Sequence, residues 1–382
     1  MAIREMEDLC NAIPDEGRLK SILAELYLSN GMDEKALATY LDIAERDPDN
    51  AYIQISLSDY YRKRGDDEKS FEHLKLGFAN PYLDIDTKVQ ILLAYFTVKE
   101  YYEDQKEEAN VLSEILVETH PDNAKAYSIQ ADLYYQNEEW EKARNALRKV
   151  LSLDSSRYVV WEQLLFTESY LSDFEGMRND SRKSIELFPQ QPLPYLFAAV
   201  ASYNFEDHEQ MVKDLETGIK FVVRNDMLLA EFYNYLGDAY HQTGEDKKAF
   251  EAYDASLKIN SENSIVLNNY AYYLSLRGEQ LERARKMAKK ANELDPDNSS
   301  NQDTYGWVLY KLGEYEEALE WIGRSIENHN EENAEVLEHY GDVLYKLGRT
   351  KEAKEYWKRA RKAGKGGSEF LEKKANEGVL YE

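Results

Sequence analysis

Cys10 is the only cysteine, so no intrachain disulfide can form. A catalytic thiol would need a positioned histidine, and none of the six histidines lies near Cys10 in sequence. A packed or surface thiol is therefore expected. His208-Glu209 opens like a zinc-protease helix, but residue 212 is Val, so the second histidine ligand is missing. Lys365 sits in Ala-Gly-Lys-Gly-Gly-Ser, which lacks the residue order of a phosphate loop and follows no strand. That stretch is expected to stop a helix. His120-Pro-Asp-Asn123 and the Asp-Pro-Asp-Asn turns at 47–50 and 295–298 lack the ligand spacing of a calcium loop. No Gly-x-Ser-x-Gly elbow occurs. Carboxylates are abundant, and nothing in the sequence selects a working pair. The expectation is a protein with no catalytic residues, no metal and no cofactor.

Composition narrows the partners. The 382 residues carry a formal charge of −26, which repels phosphates and argues against nucleic acid and anionic membrane surfaces. With 43% hydrophobic and 12% aromatic residues the chain is too apolar for disorder. Only 18 glycines and 8 prolines argue against a loop-rich β protein. The most apolar stretches, Val89–Val98 and Leu193–Tyr203, fall short of the roughly 18 residues of a membrane span. No basic-then-apolar leader opens the chain. The compartment stays open on composition alone.

Any functional side chain must be positioned by a repeat. Pro14 and Pro48 are 34 residues apart, as are Gly31 and Gly65, and Gly244 and Gly278. Gly313 and Gly348 follow at steps of 35. Alignment on these marks gives ten units: 17–50, 51–84, 85–123, 124–157, 158–191, 192–229, 230–263, 264–298, 299–333 and 334–367. Each reads as two amphipathic helices, with apolar residues at i, i+3 and i+7. The unit 230–263 carries Tyr233, Leu236, Gly237, Tyr240, Gly244, Ala249, Tyr253 and Leu257. Small residues at the eighth and twentieth slots let the two helices approach, and glycine at the fifteenth suits a left-handed helix end.

On these residues the chain resembles the tetratricopeptide repeat (TPR) family along nearly its whole length. The unit 85–123 departs with about five extra residues. Met211 stands where alanine is usual, and Leu165 occupies a small slot. The resemblance implies an all-α, right-handed superhelical solenoid of about ten helix-turn-helix repeats with a C-terminal capping helix. Residues 1–16 match a second helix without its first, so the chain is expected to begin mid-repeat. The alternative is a natural N-terminal cap, and self-association through this half-repeat is a further expectation. Residues 368–382 are expected to cap the other end, with Ser368 as the N-cap.

In TPR chains the second, fifth, ninth, twelfth and thirteenth slots face a concave groove. Carried onto this sequence, those slots make Phe166, Tyr170, Tyr203, Asn234, Asp238, His241, Asn268, Tyr272, Asp303, Trp307, Tyr310, Asp342 and Tyr345 the candidate partner-binding residues. Gly306 and Ala271 are expected to turn Trp307 and Tyr272 away from the helix pair. Paired asparagines such as Asn234 and Asn268 can hold an extended backbone, which offers a donor and an acceptor at every residue. The lysine that chaperone-tail binders place in the fifth slot is absent, so a neutral or basic segment is the expected ligand. Leu267–Leu274 and Asp303–Trp307 resemble bacterial TPR proteins, several of which are envelope lipoproteins or assembly factors. This implies a periplasmic or membrane-anchored protein, with a cytoplasmic one as the alternative. A non-enzymatic interaction scaffold is the leading expectation, and a peptide-responsive regulator the alternative.

Overall fold

The computed structural model describes residues 2–14, 16–96, 99–328, 332–364 and 366–382. Val98 and Lys365 lie outside the described residues. The chain divides into two compact units, residues 1–189 and 190–382. The first holds α1 (Ala2–Ala12), α2 (Gly17–Ser29), α3 (Asp33–Arg46), α4 (Ala51–Arg62), α5 (Asp67–Ala79), α6 (Ile85–Phe96), α7 (Lys99–Thr119), α8 (Ala124–Gln136), α9 (Trp140–Leu153), α10 (Tyr158–Tyr170) and α11 (Phe174–Leu187). The second holds α12 (Pro192–Asn204), α13 (His208–Gly218), α14 (Asp226–Gln242), α15 (Asp246–Ile259), α16 (Ser264–Arg277), α17 (Leu281–Leu294), α18 (Ser299–Leu312), α19 (Tyr315–Asn328), α20 (Ala334–Lys346), α21 (Thr350–Ala363) and α22 (Leu371–Glu377). Among the described residues there is no strand, and no helix is long and apolar enough to cross a membrane.

Each unit is a run of packed helix pairs, α2 with α3 through α20 with α21. Within the second unit the first helices also touch one another, α16 with α18 and α18 with α20. In most pairs the helices close because one position of the first helix is small, while α6 and α10 carry Leu92 and Leu165 there. A Cβ on Gly237 would strike the Tyr253 ring, and one on Gly341 would lie 2.6 Å from Cδ1 of Trp357. Tyr253 and Trp357 are fully buried, so neither ring has room to give way.

The junctions are capped. Asn50, Asn123, Asn263, Asn298 and Asn333 each accept a backbone N–H from the first turn of the helix that follows. The extra length of the 85–123 stretch falls in α7, which has 21 residues where α9, α15 and α17 have 14. α14 starts at Asp226, ahead of residue 230, because Asn225 caps it by accepting from Leu228 N.

Gly31, Gly65, Gly244, Gly278, Gly313 and Gly348 end their helices with positive φ. Glu138 (φ 59°), Ser172 (φ 53°) and Glu206 (φ 59°) adopt the same left-handed turn with a side chain attached. That conformation costs an L-residue about 1–2 kcal/mol, partly offset by glycine's larger unfolded-state entropy. The variant Glu138→Gly/Ser172→Gly is expected to stabilise the first unit by about 1 kcal/mol in all, read from the urea midpoint. An unchanged midpoint would mean that these turns are unstrained.

The C-terminal cap departs from the sequence expectation. Ser368 is not its N-cap. α22 begins at Leu371 with Phe370 at the N-cap position, and Ser368 Oγ donates to Glu338 Oε1 at 2.5 Å while accepting from Phe370 N at 3.2 Å. Leu371 and Ala375 pack with Leu337, Leu344 and Trp357 as the last hydrophobic layer.

Candidate functional site

The first helices of the second unit repeat two polar rows. The fifth slots hold Asn234, Asn268, Asp303 and Glu338 on α14, α16, α18 and α20. The ninth hold Asp238, Tyr272, Trp307 and Asp342. Because these helices are related by one repeat, like residues fall in line.

Asp238 accepts from Tyr253 Oη at 2.5 Å and from Asn269 Nδ2 at 3.2 Å. Burial raises its carboxyl, and those two hydrogen bonds oppose the rise. His241 meets Asp246 Oδ1 at 3.0 Å, and its ring stacks on Tyr273 at 3.7 Å. Tyr272 Oη donates to Glu335. Asp303 and His339 form a buried pair at 3.0 Å. Burial works against the charged imidazole, but the Asp303 carboxylate outweighs it and raises the His339 pKa. The His339 ring stacks on Trp307 at 3.9 Å, and Trp307 stacks on Tyr310 at 4.6 Å.

Three polar atoms stand out in this layer. Asn234 Oδ1, Asn268 Oδ1 and Trp307 Nε1 are buried without a hydrogen-bond partner among the described residues. Buried polar groups are normally satisfied, and leaving one bare costs about 1–3 kcal/mol. The arrangement offers two acceptors, one helix pair apart, and one donor beyond them.

At the end of the unit the chain folds back on the same rows. Lys374 Nζ reaches Glu338 Oε1 at 2.8 Å and Asp342 Oδ2 at 2.7 Å, with all three side chains buried. Trp357 Nε1 also donates to Asp342 at 2.8 Å. Burial pushes Asp342 up to about 6 despite Lys374. Burial acts on Glu338 too, but Lys374 and Ser368 outweigh it and hold that carboxyl below its usual value.

The expected open aromatic surface therefore needs correction. Trp307, Tyr310 and Asp342 are only 6%, 4% and 2% exposed, closed over by His339 and by the C-terminal segment. Asn234 and Asp303 are buried as well. Tyr272, His241, Asn268, Asp238 and Tyr345 are half-buried, while Tyr203 is exposed with its ring 5.9 Å from His208. In the first unit Tyr170 is exposed and stacks on Trp140 at 4.5 Å, and Phe166 is on the border of exposure.

Sequence reasoning passed over His339, Glu335, Lys311, Lys346 and Lys374. A signal existed for three of them: Glu335 holds the second slot of its repeat, also expected to face the groove. Lys311 and Lys346 share the thirteenth slot of successive repeats, a slot expected to face the groove.

The first unit holds a separate charged cluster. Arg148 donates to Glu168 Oε1 at 2.6 Å and to Asp180 Oδ2 at 3.1 Å. The cluster borders a cavity of about 620 Å³ lined by Arg148, Trp161, Asp180 and Lys183 among others. Glu168 is fully buried, and burial with Asp180 nearby raises it to about 8. The guanidinium is engaged by both carboxyls, so the cluster reads as structural. Among the described residues no three metal-capable side chains converge.

Comparison with known proteins gives a consistent picture. A family model for the tetratricopeptide repeat matches residues 93–365. A TPR repeat-containing protein of Methanocaldococcus jannaschii is 22% identical over 320 residues, taking in 71% of this chain and 55% of that protein. The chain thus spans about half the length of that curated relative. Among solved structures, the Cut9–Hcn1 hetero-tetramer of the APC/C contains a chain of similar fold, with TM-score 0.55 and 12% identity, covering 96% of this chain and 76% of that one. A tetratricopeptide repeat protein from Parabacteroides merdae has TM-score 0.51 and 12% identity, covering 66% of this chain and 97% of that one.

Proposed function

Because the chain belongs to the tetratricopeptide-repeat family, a fold of protein–protein interaction scaffolds, we propose that its second unit holds an extended, neutral or basic segment of a partner protein along α14, α16 and α18. One observation carries this reading. Asn234 Oδ1 and Asn268 Oδ1 are buried, unpartnered acceptors one repeat apart. Backbone N–H groups of an extended segment would satisfy both without reference to its side chains. Charge supports the choice of ligand. Asp238 and Asp303 are candidate residues, Glu335 accepts from the candidate Tyr272, and the whole chain is strongly acidic.

The test is an array of extended twelve-residue peptides of graded charge, with affinities of the selected peptides measured by anisotropy. Neutral and lysine-bearing peptides should be selected over acidic ones. Asn234→Ala/Asn268→Ala should weaken the best of them by about tenfold, as expected for two net hydrogen bonds. Equal affinity in the variant, with its melting curve preserved, would overturn the assignment.

A further inference from the structure

Near the end of the second unit the local charge reverses. Lys311 and Lys346 occupy the same slot on α18 and α20. Lys311 lies across the Trp307 ring at 4.7 Å and the Tyr310 ring at 5.8 Å. Lys346 lies 5.9 Å from the Tyr310 centroid. Aromatic faces of this kind hold an ammonium in place while leaving its hydrogens available. Tyr310 Oη points to the same spot.

A carboxylate already sits there. Tyr310 Oη donates to one oxygen of Glu382, and Lys346 Nζ stands 3.1 Å from the other. Burial works to raise the Glu382 carboxyl, but Tyr310 and the two lysines hold it below its usual value. The nearest opposing carboxylates, Asp342 and Glu338, are engaged by Lys374. Three lysines against these two carboxylates leave one net positive charge for Glu382.

The occupant is lightly held. α22 ends at Gly378, whose left-handed backbone (φ 73°) reverses the chain, and residues 379–382 form no regular structure. Glu382 itself is exposed. A surface ion pair of this kind is worth about 0–1 kcal/mol.

We propose that Tyr310, Lys311 and Lys346 form a carboxylate-binding subsite, that Glu382 is its intramolecular occupant, and that an acidic side chain of a bound segment takes its place. The last clause rests on the scaffold reading above. The subsite itself does not, since Asn234 and Asn268 lie on other helices. It adds one acidic anchor to a segment otherwise neutral or basic, and so fixes direction and register along the unit.

The probe is a fluorescein-labelled, C-terminally amidated peptide Gly-Val-Leu-Tyr-Glu, with a Gln-ended peptide as control. Both are titrated by anisotropy against the full chain. The Glu382→Gln variant should bind the Glu-ended probe about two- to sixfold more tightly than wild type, because a competitor held by about 0–1 kcal/mol is removed. The gain should vanish at high salt and in Glu382→Gln/Lys346→Gln. Glu382→Gln should melt within about 2 °C of wild type, since only an exposed pair is lost. If Glu382→Gln binds no better than wild type, or if Glu- and Gln-ended probes bind alike, the subsite is refuted. That failure would leave the Asn234/Asn268 experiment standing.

Discussion

Replacing Lys374 with methionine is expected to destabilise the second unit by about 3–5 kcal/mol, among the largest effects available from one surface-to-core charge. The Lys374 side chain is 4% exposed and bridges two carboxylates that are themselves 4% and 3% exposed. Methionine fills similar volume but leaves Glu338 and Asp342 buried and mutually repelling. Urea unfolding of the second unit's aromatic signal should show the loss, and adding Glu338→Gln/Asp342→Asn should restore part of it. The loss should also shrink on acidification. Asp342 titrates near 6 in the folded state, above its ordinary value of 3.8, so the folded state takes up protons more readily between those values. Stability from this group is therefore greatest at low pH and falls as pH rises through about 6. Without Lys374 the Asp342 carboxyl rises further and Glu338 loses the partner that holds it down, so acid relieves the variant more than wild type. A cost under about 1 kcal/mol at neutral pH would show that the triad is not a structural lock.

Glu168→Gln is expected to do the opposite in the first unit and stabilise it at alkaline pH. Glu168 is raised from 4.5 to about 8, by burial first and then by Asp180, against the pull of Arg148. A folded pKa above the unfolded one means that the folded state holds a proton the unfolded state has lost. Stability then declines as pH rises from about 5 and levels off above about 8. At about 1.4 kcal/mol per unit, the full decline is on the order of several kcal/mol. Glutamine mimics the protonated acid: its oxygen can accept from Arg148 and its amide can donate toward Asp180. The difference between variant and wild type should be near zero at pH 5 and grow steadily to pH 8.5. A flat difference would place the Glu168 proton elsewhere.

The fold was legible where one residue type answers one geometric demand. Gly237 and Gly341 read as close-approach positions because only a hydrogen fits against Tyr253 and Trp357. Gly31 and Gly348 read as left-handed helix ends for the same kind of reason. The reading failed to foresee Ser172 and Glu206 in that conformation, because the helix-end turn, closed by Asp173 N to Glu168 O and Asp207 N to Ser202 O, takes it up even where no glycine marks the place. At the site, slot positions put Asn234 and Asn268 on the first helices of successive repeats but carried nothing about their burial. Depth depends on what covers a slot, and the cover comes from residues far away in sequence. Trp307 is covered by His339, 32 positions on, and Tyr310 by Glu382, 72 positions on. A periodic pattern carries no information about such closures. The Lys374 contacts were hidden for the same reason: a lysine in a short terminal helix reads as solvated until its partners are seen.

The stacked rings of His339 and Trp307 also make the molecule its own indicator. A charged imidazole face to face with an indole draws electron density from the excited ring and dims its emission, whereas a neutral imidazole does so weakly. Asp303 keeps His339 charged to higher pH than a free histidine. Trp307 is therefore expected to emit weakly while the buried pair is intact and to brighten when it is broken or discharged, read as the difference from a Trp307→Phe variant because the chain has five tryptophans. The emission of one indole would then report the protonation of an imidazole buried from solvent.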